Sequence, residues 1–187
     1  VETPAVTPFV SASRFFVDAV SAVAPERCAE QWSDEWTVLD LIAHGNRSNV
    51  LVVEYSERPV PVAGPDYVLP ENIAARGRQA ALDLGDDPIS AVRAASERAV
   101  KLVMSASDEA MVGTPFGVLT LDAYLPSRTA ELVLHGLDLD SGVEPPPEAI
   151  SGCGVFLVQR AVNSGAGSDV VQALSGRATL PAGFNVY

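Results

Sequence analysis

The sequence predicts an all-α fold, a four-helix bundle with additional short helices, on three observations. Helix-start signals recur along the chain, at Thr7-Pro8, Thr37, Asp87-Pro88 and Thr120. Between them, apolar residues return at three- and four-residue spacing. No stretch of useful length alternates apolar and polar residues with period two, as a half-buried strand would.

In the first helix Thr7 reads as N-cap and Pro8 as the first helical residue, followed by Phe9, Phe16, Val20 and Val23, with Pro25 closing the segment. Residues 26–35 are a connector containing Trp32. The run WTVLDLIAH opens the second helix: Thr37 caps it, Asp40 completes a capping box, and Trp36 can staple onto Leu41. This helix extends to about residue 57, ahead of a Pro/Val/Gly loop over 59–65. A shorter helix fits 70–84, with Gly85 as a left-handed stop. Asp87-Pro88 opens the next long helix, whose inner face carries Ile89, Val92, Val100 and Val103. Residues 113–117 read as a loop, and Thr120 begins a helical region running to 141–142, which Pro126 either kinks or restarts. After the break at 145–147, helices fit 148–163 and 168–174, the last ending in Gly176.

The 187 residues suit one domain, with 48% hydrophobic residues and only 19% charged ones, far from the composition of a disordered chain. Twelve basic against 24 acidic residues leave a net charge of −12. That charge argues against nucleic acid and against an anionic membrane surface as partners. No apolar run approaches 18 residues, and VETPAV lacks the basic and apolar regions of a signal peptide. Two cysteines in unrelated contexts, Cys28 and Cys153, suit a reducing, cytoplasmic setting.

The chemistry-bearing residues are few. Both histidines of the chain fall on expected helices, His44 on the second and His135 four residues after Glu131. On a helical wheel, Tyr124, Arg128, Glu131, His135 and Asp138 share an arc of about 80°, while the rest of that helix is mostly apolar. Two readings fit this stripe. It is a thin solvent-facing edge with a Glu131–Arg128 pair, or it faces the interior, where ionisable groups need a partner or a metal. In the second reading Glu131 and His135 reach one ion, and His44 supplies a third ligand from a neighbouring helix. Two imidazoles and a carboxylate suit Zn²⁺ with positions left open. Asp40, Arg128 and Asp138 are candidates to orient these ligands from behind, and Arg177 in the tail is a candidate contact for an anionic substrate. No residue is assigned a catalytic role. The motifs CxxC, HExxH and GxSxG are absent, and Gly152-Cys153-Gly154 lacks the third glycine of a dinucleotide loop.

The combination of WTVLDLIAH with GTPFGVLTLDAYLPSRTAELVLHGLDL, and the ending ALSGRATLPAGFNVY, resembles the mycothiol-dependent maleylpyruvate isomerase family, the actinobacterial branch of the DinB-like bundles. The resemblance runs from about Phe15 to Tyr187 and is to the short, stand-alone members. It implies a DinB-like bundle with a divalent metal, most often zinc, held by His44, Glu131 and His135, and mycothiol as co-substrate. The isomerase itself carries a sterol-carrier-like second domain; here 187 − 142 = 45 residues follow Gly142, so the expectation is one domain over 1–187 whose extension from about 145 packs on the bundle. The function expected is metal-dependent thiol transfer or isomerisation on a small electrophile. A metal- or small-molecule-binding module without turnover, and a metal-assisted hydrolase, are the alternatives.

Overall fold

A computed structural model describes residues 4–58 and 60–186; Pro59, which heads the expected 59–65 loop, and residues 1–3 and 187 lie outside the described residues. Among the described residues the chain forms seven helices: α1 (Val6–Ser21), α2 (Val38–Glu57), α3 (Pro70–Leu84), α4 (Pro88–Ser105), α5 (Leu121–Asp138), α6 (Pro147–Asn163) and α7 (Gly167–Leu174). The fold is all-α and DinB-like, with one small two-stranded sheet. None of these helices is long and apolar enough to cross a membrane.

The core is built where α1, α2, α4 and α5 meet. Phe9, Phe15 and Phe16 of α1, Leu41, Ile42 and Val52 of α2, Val92 of α4, and Leu125, Leu132 and Val133 of α5 are all essentially inaccessible. Full burial of one such side chain contributes roughly 1.5–3 kcal/mol, so this cluster is the main source of stability. A polar thread crosses it: the buried Ser13 hydroxyl donates to Asn49 Oδ1 (2.7 Å) and lies 2.7 Å from Ser96 Oγ, so α1, α2 and α4 also share satisfied hydrogen bonds. α6 packs on α1 and α5, and α7 packs on α6.

The capping logic holds at α2, α4 and α5. Thr37 Oγ1 accepts from Asp40 N while Asp40 Oδ2 accepts from Thr37 N, the reciprocal arrangement expected. Asp87 Oδ1 accepts from Ser90 N, and Thr120 Oγ1 from Ala123 N.

Several expectations are corrected. α1 begins at Val6 after Ala5, so Thr7 is inside the helix; Pro8 is tolerated because the first-turn donors have no intrahelical acceptor. α1 ends at Ser21, and Pro25 instead opens a 3₁₀ turn, Pro25–Ala29, within the stretch read as connector. Gly85 has φ +68°, the positive-φ region that a glycine stop uses, but its ψ of −154° is not the left-handed helical value expected. α5 runs through Pro126 as one helix and ends at Asp138, short of residues 141–142.

The largest correction concerns the loop at 113–117. It is the turn of a hairpin, β1 (Met111–Thr114) paired antiparallel with β2 (Gly117–Thr120), Val112 opposite Leu119. Thr114 Oγ1 accepts from Phe116 N and donates to Gly117 O, which closes the two-residue turn at Pro115-Phe116. The segment before α3 joins it: Val60 N donates to Gly113 O and Ala63 N to Pro115 O. The hairpin therefore braces the 60–68 segment against one end of α2 and α5.

Candidate metal centre

Two helices bring the site together. α2 carries His44 and α5 carries Glu131 and His135, one turn apart on one face. Close approach of the helices depends on two glycines beside the histidines. A Cβ on Gly45 would lie 2.6 Å from Phe16 Cζ and 3.2 Å from His135 Cβ, and one on Gly136 would overlap the ring of Phe15. Both phenylalanines are core residues of α1, so the same packing that seats α1 fixes the backbone next to each histidine.

One ligand atom from each of His44, Glu131 and His135 can be chosen so that all three lie within 4.8 Å of one another. His135 Nε2 is 3.1 Å from Glu131 Oε2, and His44 Nε2 is 3.8 Å from the same oxygen. The imidazole rings meet edge to face with centroids 5.0 Å apart. Donors that share one ion at about 2.0–2.1 Å are separated by little more than 3 Å, so small side-chain rotations suffice to close the set on an ion. Of the two readings of the stripe, the structure favours the inward one: Glu131 and His135 are mostly buried, and the Arg128 guanidinium lies over the Tyr124 ring (5.1 Å) with Nε donating to Ser127 Oγ.

The two histidines are held in opposite states. Burial, reinforced by the nearby His135, lowers the His44 pKa to about 4, so its imidazole is neutral, the ligand form. His44 Nδ1 is buried with no hydrogen-bond partner, and Trp36 packs on the ring at 4.5 Å between centroids. Burial also pulls on His135, but hydrogen bonds to Asp138 and Glu131 outweigh it and raise that pKa to about 9. Asp138 Oδ2 lies 3.1 Å from His135 Nδ1, where the carboxylate accepts from the ring and turns Nε2 toward Glu131.

Of the candidate supporting residues, then, Asp138 stands behind His135, and Arg128 lies beside Glu131 on the cavity wall. Asp40 does not reach the ligands: its carboxylate is committed to the α2 capping box, accepting from the Thr37 backbone and hydroxyl. Arg177, a candidate substrate contact whose default role is at the end of a helix, is found at that end. It is exposed after α7, where its N–H closes the helix on Gln172 O, and it does not line the cavity beside the cluster. Cys28 and Cys153 are free thiols outside the cluster, and burial raises the Cys153 pKa.

That cavity has a volume of about 350 Å³, with His44 and Glu131 in its wall. Around it stand Tyr55 and Tyr124 from the bundle, Tyr67 and Phe116 from the braced segment and hairpin, and Arg47, Arg76 and Arg128. The sequence reading missed Arg47, Arg76 and Trp36 as site residues. Arg47 had a usable signal, since it sits three residues after His44 and so shares its face. Arg76 had none, because its place depends on how α3 docks.

Fold and site together define an all-α, DinB-like bundle with a two-histidine, one-carboxylate cluster opening onto an aromatic and basic cavity. The family model for the mycothiol maleylpyruvate isomerase N-terminal domain matches residues 9–140, and the chain belongs to that family. No curated protein and no solved structure matches the chain.

Proposed function

We propose that the domain holds one divalent ion, zinc by donor type, between His44, Glu131 and His135, and uses it to activate a low-molecular-weight thiol, mycothiol by family, for transfer to or isomerisation of a small electrophile. The observation that carries the reading is the convergence of the three donors at the edge of an open cavity. The donor set is two imidazoles and one carboxylate, the composition of catalytic rather than structural zinc sites, which keep a position open. An ion held there would lower the pKa of a coordinated thiol so that it ionises at neutral pH, its proton passing to solvent, and the thiolate would be the nucleophile. The chain's own residues do the rest. His44 is already neutral, so it offers a lone pair without first losing a proton. Asp138 orients His135, and Glu131 faces both rings. Neither cysteine lies at the cluster to close the fourth position, and the cavity gives an electrophile access from the His44–Glu131 side.

Elemental analysis of tag-free protein tests this. Wild type is expected to bind close to one equivalent of zinc, Glu131→Ala and His135→Ala to lose most of it, and Cys28→Ser/Cys153→Ser to keep it. In cobalt-substituted protein, mycothiol is expected to produce a thiolate-to-metal charge-transfer band that a non-thiol analogue does not. Bound cobalt with no such band at saturating thiol would overturn thiol activation, and turnover without added thiol would point to a hydrolase.

A further inference from the structure

The two imidazoles of the cluster are held in different ways. His135 has Asp138 at its Nδ1 and Glu131 at its Nε2, both at 3.1 Å. His44 has Glu131 Oε2 3.8 Å from its Nε2, while its Nδ1 is buried and no described residue hydrogen-bonds it. A metal-ligating histidine ordinarily gives its second ring nitrogen to a carboxylate, a carbonyl or water, and that bond fixes the ring. At His44 some other restraint has to do this, because a side chain turns between staggered rotamers unless its neighbours block the turn.

Trp36 is the neighbour in place. Its indole lies 4.5 Å from the imidazole between centroids, tilted by 41°, and the residue is buried. Its far side is held by α3: Nε1 donates to Ala74 O at 3.3 Å, and a Cβ on Gly77 would lie 2.8 Å from Cζ2. The backbone beneath the indole is fixed as well. Trp36 O accepts from the Trp32 and Ser33 backbone N–H groups, and Trp36 N donates to Ser33 Oγ. Trp32 stacks on the indole at 6.1 Å. So α3, which carries no donor of the cluster, reaches a ligand of it through one side chain.

We propose that Trp36 is the positioning residue of His44: its indole, anchored on α3 at Ala74 and Gly77, holds the imidazole toward Glu131 by ring contact in place of a hydrogen bond. One ligand of the cluster is then set by a carboxylate on its own helix, His135 by Asp138, and the other by packing from a helix that supplies no donor. A ring kept in one orientation loses little freedom when its Nε2 is taken up by an ion, whereas a ring free to turn has to be ordered first. The effect on the ion rests on the proposed function; the orientation of His44 in metal-free protein does not.

Two readouts test this: zinc affinity by chelator competition at pH 7.5, and the nuclear Overhauser contact between the His44 and His135 rings in chelated protein. Wild type is expected to show the ring contact. Trp36→Leu is expected to lose it and to weaken zinc about tenfold or more, the scale set by partners that orient a metal ligand. Trp36→Phe keeps an aromatic face and is expected to keep the contact and to stay within about threefold of wild type. Gly77→Ala leaves Trp36 in the chain but forces the indole or α3 to shift, and is expected to weaken zinc about threefold or more. Val103→Ala truncates the core on α4, which carries no ligand; it is expected to lower the denaturant midpoint and leave zinc affinity unchanged. A ring contact absent from wild type or retained in Trp36→Leu, or zinc affinity that falls no further in Trp36→Leu than in Val103→Ala, would overturn the proposal. If Trp36→Leu does not fold, Gly77→Ala decides, and wild-type affinity with an unchanged ring contact overturns it. A wild type that binds no zinc would end the metal reading, while the ring contact in chelated protein still decides the role of Trp36.

Discussion

At the scale of single residues, the opposed histidines give the metal-free protein a defined pH response. His44, with a folded pKa of about 4 against 6.5 unfolded, is destabilising once the unfolded chain takes up a proton that the folded chain refuses; stability is lost as pH falls from 6.5 toward 4. His135, with a folded pKa of about 9, binds its proton more tightly when folded; that stability is full below 6.5 and is lost as pH rises through 9. Each limb amounts to at most about 3 kcal/mol. Denaturant titrations of chelated protein from pH 4 to 9.5 are therefore expected to show maximal stability near pH 6.5, and Asp138→Asn to flatten the alkaline limb, since Asp138 is a main support of the raised pKa. A profile flat between 7 and 9 would count against the His135–Asp138 coupling. The cluster itself was legible in the sequence because its members are locally spaced: Glu131 and His135 are one turn apart, and the family motif singles out His44. Asp40 misled because the spacing that serves a capping box also places a carboxylate one turn before a ligand.

At the scale of elements, the approach of α2 to α1 and α5 is set by residues with no side chain. Gly45→Ala would drive a methyl into the Phe16 ring and against His135 Cβ. Overpacking of this kind costs about 1–3 kcal/mol, and here it also pushes apart the two helices that carry the ligands. The expected outcome is a lower denaturant midpoint together with weaker zinc binding in a chelator competition. Gly154→Ala in α6 is the control: nothing lies within 4 Å of the added Cβ, so the change is expected to be neutral or to stabilise by up to about 1 kcal/mol through helix propensity. Equal effects at both positions would remove the packing argument. Most helices could be read from caps and apolar spacing, whereas the β1–β2 hairpin could not. Its strands have four residues each, and their burial does not alternate: β1 turns Val112, Gly113 and Thr114 all inward, while β2 is largely outward. Its turn is Pro-Phe rather than the Asn-Gly or Asp-Gly that announces a hairpin. The pairing is fixed by tertiary packing against α2 and α5, which leaves no local periodicity to detect.

At the scale of the whole molecule, the cluster joins helices that the chain otherwise keeps separate in sequence, so a bound ion crosslinks the bundle across 87 positions, from His44 to Glu131. An ion that binds the folded state alone stabilises it by about 2.7 kcal/mol at a free concentration one hundred times Kd. For a domain of this size each kcal/mol moves Tm by about 2–4 °C, so zinc at that excess is expected to raise Tm by roughly 5–11 °C over chelated protein. Differential scanning calorimetry at pH 7.5 measures the shift. Glu131→Ala is expected to abolish it, since that carboxylate faces both imidazoles. Arg47→Gln is expected to preserve it, because Arg47 lines the cavity without belonging to the donor set. A shift that survived Glu131→Ala would mean that zinc binds elsewhere on the acidic surface, and the assignment of the ion to this cluster would fall. Charge supports the contrast: in a chain of −12 any cation is drawn weakly to the surface, but only a site whose donors converge should give saturable stabilisation that one carboxylate controls.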